Sequence, residues 1–140
     1  MINSELKQKR LSFLNGEIEF FSNNFLGVER EAPNKMGECK YYFLDANGKR
    51  AGCAIGRHMT EENAKKAQKI GGQINSYSIF ELCPDNLKEL GWDFLFQIQL
   101  LHDGQSLYWA DEENDVKTLS EKGLEFVGKI KKKFIDNLSD

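Results

Sequence analysis

The sequence is short of the residues that most directly announce chemistry. Its three cysteines, Cys39, Cys53 and Cys83, are an odd number, widely spaced and without a Cys-x-x-Cys pair. That argues against both a disulfide framework and a zinc knuckle. The two histidines, His58 and His102, stand far apart with no His-x-x-x-His partner. A mixed set of Cys53, His58, His102 and Asp103 has no supporting spacing, so no metal and no cofactor is expected. No apolar run approaches the roughly 20 residues that span a bilayer, so no membrane partner is expected. The start, Met1-Ile2-Asn3-Ser4-Glu5-Leu6-Lys7, lacks the charged-then-apolar order of a signal peptide, and a cytoplasmic location is expected. A net charge of −3 gives no overall field for attracting nucleic acid, which is not an expected partner.

What is present is the composition of a globular protein. The 140 residues, 40% apolar and 29% charged, fit a single domain over residues 1–140. Asn3 or Ser4 caps a first helix, and Glu5 is well placed near its start. Leu14, Ile18, Phe21 and Phe25 fall at i, i+4, i+7 and i+11, and Leu6 and Phe13 broaden the stripe. The phenylalanines here read as core rather than cofactor box. Gly16 weakens the middle by about 1 kcal/mol relative to alanine, and Gly27 ends the helix.

Lys40 to Leu44 reads as a strand, Asn47-Gly48 as a tight turn, and Arg50 to Arg57 as the return strand. On that strand Ala51, Cys53, Ile55 and Arg57 share one face, and Gly52, Ala54 and Gly56 the other. A face of glycine and alanine needs something tight against it, most cheaply a helix. Thr60 caps the next helix, Glu61 to Ile70, with a thin seam of Ala64, Ala67 and Ile70, stopped by Gly71-Gly72. Residues 73–83 are ambiguous, with Ile79, Phe80 and Leu82 at least partly buried. Pro84 opens a short helix, Asp85 to Leu90, ended by Gly91.

Trp92 to Asp103 alternates as a strand does, yet Phe94, Leu95, Ile98 and Leu101 fit a helix better. Residues 105–115 read as a loop carrying Leu107, Tyr108 and Trp109, then an acidic cluster. The last helix starts at Thr118-Leu119-Ser120-Glu121, with Ser120 as cap and Leu119 and Leu124 as a hydrophobic staple. Leu124, Val127, Ile130, Phe134 and Leu138 are expected to face inward. The fold class is therefore α+β, mostly helical, with several helices packed around a β-hairpin that forms a small antiparallel sheet.

Several constellations compete as sites. Cys53, His102 and Asp103 supply a thiol, a base and an orienting acid, but Cys53 lies among small residues where a packing role is simpler. The acidic run Asp111 to Asp115 lacks the sixth-position glycine of an EF-hand loop, and its twelfth position is Lys122. Gly52 to Gly56 lacks the Gly-Lys-Ser/Thr ending of a P-loop. Arg57 and His58 stand just ahead of the Thr60 cap, where an anion could sit, and Tyr108 or Trp109 could stack on a base. The plainer alternative pairs Arg57 with Asp103 or Glu81. Lys129, Lys131, Lys132 and Lys133 read as a solvated helix face rather than a nucleic-acid patch.

Gly52-Cys-Ala-Ile-Gly-Arg57, Leu87-Lys-Glu-Leu90, Leu100-Leu-His-Asp103, Trp109 and Leu119-Ser-Glu-Lys-Gly123 together resemble a group of small, uncharacterised proteins of bacteriophages, prophages and their hosts. The resemblance covers residues 40 to 135 and implies a phage-related setting in a bacterial host cell, with no particular reaction. The favoured expectation is a non-catalytic binder that inhibits a host defence system, by gripping a protein or sequestering a small anionic, nucleotide-like ligand. Its expected recognition residues are Arg57, His58, His102, Asp103 and Trp109. A thiol-dependent hydrolase or transferase using Cys53 and His102 is the first alternative. A homo-oligomeric scaffold is the second.

Overall fold

The structure, a computed structural model, describes residues 3–29, 41–44, 48, 50–51, 54–70, 77–103, 105–111 and 117–138. Helix α1, Asn3–Glu29, is 27 residues long. It passes both Gly16 and Gly27 without a break. Gly16 is exposed with open space around it, so its only cost is local. The residues of α1 that are buried are Arg10, Leu14, Glu17 and Phe21. That is a regular i, i+4, i+7, i+11 stripe, but it alternates charged with apolar side chains. Ile18 is only half-buried, and the side chain of Phe25 lies outside the described residues.

The first hairpin is shorter than the sequence predicts. Strands β1 (Phe43–Leu44) and β2 (Arg50–Ala51) pair antiparallel, Phe43 against Ala51 and Leu44 against Arg50. The chain then leaves the sheet, and Gly56–His58 form a 3-10 turn instead of continuing the strand. The close approach expected of the small residues is present at Gly56, but its neighbour is not a helix. A Cβ there would run into the backbone of Tyr41. Gly52 and Cys53 lie outside the described residues.

Helix α2, Glu61–Ile70, starts where Thr60 Oγ1 accepts from the Asn63 amide at 3.1 Å. Ala64 and Ala67 are buried in its seam, whereas Ile70 is exposed rather than inward. The ambiguous stretch contains a single helical turn, α3 (Tyr77–Phe80), which buries Ile79. Asn63 Nδ2 donates to the Leu82 carbonyl at 3.1 Å and fastens this turn to α2. Pro84 caps α4 (Asp85–Lys88), and Gly91, at φ 92°, turns the chain into α5.

Helix α5 runs Trp92–Asp103. Phe94, Leu95, Ile98, Gln99, Leu101 and His102 are buried, so most of its circumference is covered, which is why a strand-like alternation coexisted with a helical stripe. The region expected as loop holds a short turn of helix, α6 (Gln105–Tyr108), and a strand, β3 (Trp109–Asp111). β3 pairs antiparallel with β4 (Lys117–Leu119), setting Trp109 opposite Leu119. A second hairpin therefore exists that the sequence did not signal.

Ser120 caps α7 (Glu121–Lys131), accepting from the Gly123 amide at 3.0 Å. The expected staple is not made, because Leu124 is exposed. Gly123, Val127, Ile130 and Phe134 face inward instead. A π-helical turn, Lys132–Asp136, follows and buries two consecutive residues, Phe134 and Ile135. One hydrophobic cluster runs through α1, α2, α5 and α7, with Tyr41 added from just before β1 and Trp109 from β3. The architecture is α+β: mainly helices, with two small antiparallel sheets.

Candidate functional site

Glu17 sits mid-helix on the buried stripe of α1, 2% exposed, where an unpaired carboxylate would be costly. The 3-10 turn answers it with a guanidinium and an imidazole. Arg57 Nη2 lies 2.8 Å from Glu17 Oε2, and His58 Nε2 is 2.5 Å from Glu17 Oε1. The carboxylate is the acceptor, so His58 Nε2 is the donor. The same turn packs on the backbone of Tyr41, which leaves no room for a side chain at Gly56. The arginine contact is one-armed. Among the described residues, Arg57 Nε and Glu17 Oε2 are both buried without a hydrogen-bond partner, so the contact is an ion pair without hydrogen-bond alignment and the bidentate fork is not formed. Arg57 and His58 keep side-chain exposures of 22% and 29%, which places this carboxylate beneath a partly wet lid of two basic side chains.

The guanidinium of Arg57 also stacks on aromatic rings, 3.7 Å from the centroid of Phe20 and 5.9 Å from that of Phe21. Phe21 in turn meets the His102 imidazole face to face, centroids 4.3 Å apart and planes 23° from parallel. Trp109 stands edge-on to Phe21 at 6.3 Å and donates its indole N–H to the Leu101 carbonyl at 3.0 Å. Thus Arg57, His102 and Trp109 gather on one side of the molecule around Phe21, with His58 joined to them through Glu17. The space between them is occupied by the Phe21 ring. His102 and Trp109 are buried. The backbone of Asp103 ends α5, but its side chain, like the whole of Cys53, lies outside the described residues.

The expected ion pair of Arg57 is made, but with Glu17 rather than Glu81. Glu81 is exposed and accepts from the Tyr77 hydroxyl at 3.3 Å. Glu17 is the residue that sequence reading missed. Its signal was its position: it lies four residues before Phe21 and three after Leu14, on a stripe that otherwise reads as core.

A second arrangement lies between α5, α6 and the C-terminal helix. A cleft of about 490 Å³ is walled by Tyr108 and Phe126 and bordered by Lys122, Lys129 and Lys133, with Glu125 as the one acid along it among the described residues. Tyr108 and Phe126 are half-buried and meet edge to face at 4.6 Å. Lys133 holds its ammonium 5.3 Å over the Phe134 ring. Gln97 of α5 adds an amide to the wall. The cleft is shaped by the start of α7. Ser120 donates its amide to the Tyr108 carbonyl at 2.8 Å and its hydroxyl to the Leu107 carbonyl at 2.7 Å. Gly123 presses against the same Tyr108 carbonyl with no room for a Cβ. The lysines read from sequence as a solvated face therefore divide. Lys129 and Lys133, joined by Lys122, border this cleft, whereas Lys131 and Lys132 do not.

Burial pushes the Cys83 thiol up to about 12, against a smaller opposing pull from Lys88, which leaves it protonated at neutral pH. Among the described residues, no group of three or more His, Cys, Asp or Glu side chains is placed to hold a metal ion. No described helix is long and apolar enough to cross a membrane. Comparison with known proteins gives no match: no family model, no curated protein and no solved structure is similar to this chain.

Proposed function

We propose that the protein is a non-catalytic binding protein, of the phage-associated kind its sequence resembles, that holds an anionic ligand in the cleft between α5, α6 and α7. The observation that carries this reading is the charge of the cleft. Among the described residues that line it, three lysines face one glutamate, on a chain whose net charge is −3. Local positive charge against a negative background attracts anions to that one place. Arg57, His58, His102 and Trp109 then serve the scaffold: their charges and rings are engaged by Glu17, Phe20 and Phe21. The packing of His102 against Phe21 also weighs against the thiol enzyme, because a general base must reach a substrate. In a phage setting such a binder works stoichiometrically, inhibiting a host system by occupying or sequestering what it binds.

Inorganic tripolyphosphate is the simplest probe. Calorimetric titration at low ionic strength should give saturable one-to-one binding that weakens as salt is added. Lys129→Glu should reduce the affinity about tenfold or more, the equivalent of about 1.4 kcal/mol. Binding of equal strength in the wild type and the variant, or none in the wild type, would reject the cleft as an anion site.

A further inference from the structure

We infer that the occupant of this cleft is a nucleotide, with its base against Tyr108 and Phe126 and its phosphates on Lys122, Lys129 and Lys133. This rests on the anion-binding reading above and specifies it. The lining is of two kinds that no simple anion uses together. A free phosphate or an acidic side chain would engage the lysines and leave the exposed parts of the two half-buried rings uncovered. A neutral aromatic would do the reverse. A nucleotide carries a flat π-surface and a dense negative charge on one small frame, and aromatic stacking accepts any base because every base has a π-face.

The dimensions agree. A volume of about 490 Å³ lies within the roughly 300–1,000 Å³ of small-molecule sites. Lys129 and Lys133 are four residues apart, about 6 Å along the helix axis, and Lys122 stands about 10 Å further back. The Lys129–Lys133 spacing suits a chain of linked phosphates better than a single one, whereas Lys122 reaches it only through its long stem. Gln97, half-buried in the opposite wall, offers both a donor and an acceptor to a base edge.

Preorganisation supports the same assignment. The Tyr108 backbone is fixed through its carbonyl by the Ser120 amide, and its ring is locked edge to face on Phe126. A platform already held in place loses little freedom when a base lands on it. The lysines, by contrast, reach solvent on long stems and can adapt to the phosphates.

The test compares ATP, GTP, CTP and UTP with adenosine and with inorganic tripolyphosphate, by calorimetry on the full chain. At least one nucleoside triphosphate should bind about tenfold or more tighter than tripolyphosphate, the gain that stacking one base provides. Adenosine should bind far more weakly than the triphosphates. Tyr108→Leu should bring the triphosphate down to the tripolyphosphate level, and Tyr108→Phe should leave it unchanged. Phe126→Leu serves as a second removal of an aromatic wall should Tyr108→Leu prove unfolded by circular dichroism. Triphosphates binding no tighter than tripolyphosphate, or ignoring loss of either ring, would overturn the nucleotide while leaving the anion cleft standing. Failure of tripolyphosphate itself to depend on Lys129 would overturn both.

Discussion

Glu17 is one carboxylate among the 22 acidic residues of the chain, yet it fixes where the 3-10 turn lies against α1. Its worth follows from what its removal strands. Glu17→Gln keeps the shape of the side chain but leaves Arg57, stacked over Phe20, facing a neutral amide. Breaking a fully buried pair costs about 3–5 kcal/mol. Here Arg57 and His58 both reach solvent, so a loss of about 2 kcal/mol in urea denaturation is expected. Glu17→Leu together with Arg57→Met should lose less than Glu17→Leu alone, because no charge is then left without its partner. Equal stability of wild type and Glu17→Gln would mean that the cluster is ornamental. At this scale the sequence was half legible. Arg57 was recognisable as an ion-pair residue, but Glu17 and Ile18 differ by only 100° around the helix, and hydrophobicity alone favoured Ile18 for the buried side.

The contact of α7 with α6 is decided by two residues, Ser120 and Gly123. A glycine in the first turn of a helix ordinarily costs stability, and by helix propensity alone Gly123→Ala should stabilise by about 1 kcal/mol. The structure reverses the sign. The added Cβ would meet the Tyr108 carbonyl, a backbone atom that cannot rotate away, so a net loss of about 2 kcal/mol is expected, in the range of overpacked sites. Gly128 is the internal control. It lies on the same helix, is exposed and has open space where a Cβ would go, so Gly128→Ala should stabilise by about 0.5–1 kcal/mol. Thermal denaturation of the two variants should shift in opposite directions; a shared direction would refute the close packing. The same glycine explains the exposure of Leu124. Gly123 holds the inward position, in register with Val127, Ile130 and Phe134, which turns Leu124 toward solvent. Long elements such as α1, α2, α5 and α7 were legible because periodicity accumulates over several turns. α6, β3 and β4 are three or four residues each, too few for any period to declare itself, and the second hairpin was invisible for that reason.

Across the molecule, Arg10 joins parts of the chain that are far apart in sequence. From the buried stripe of α1, its Nε donates to the Leu90 carbonyl at 3.0 Å and its Nη1 to the Phe134 carbonyl at 2.6 Å. The guanidinium lies 5.2 Å from the Phe94 centroid and 5.7 Å from that of Phe134. Burial lowers the pKa of Arg10, and Asp93 offsets part of that shift. One side chain thus fastens α1 to the turn before α5 and to the π-helical turn near the chain's end, whose Phe134 also walls the cleft. No periodicity announces such a tie, because the sequence identifies α1 as amphipathic without saying which distant carbonyls its one buried cation will meet. Arg10→Met keeps most of the apolar stem and the packing on Phe94 while removing both donors. It strands two buried carbonyls, and a loss of about 3 kcal/mol is expected from two charge-assisted bonds. Arg10→Lys should recover less than half of that, since a single ammonium cannot present a planar fork to two acceptors at once. Hydrogen exchange distinguishes this tie from simple loss of helix stability. Protection should fall together at residues 88–92 and 132–138 in both variants, although these segments are far apart in sequence. Loss of protection confined to α1 would show that Arg10 stabilises only its own helix, and that the C-terminal turn is held by Phe134 and Ile135 packing alone.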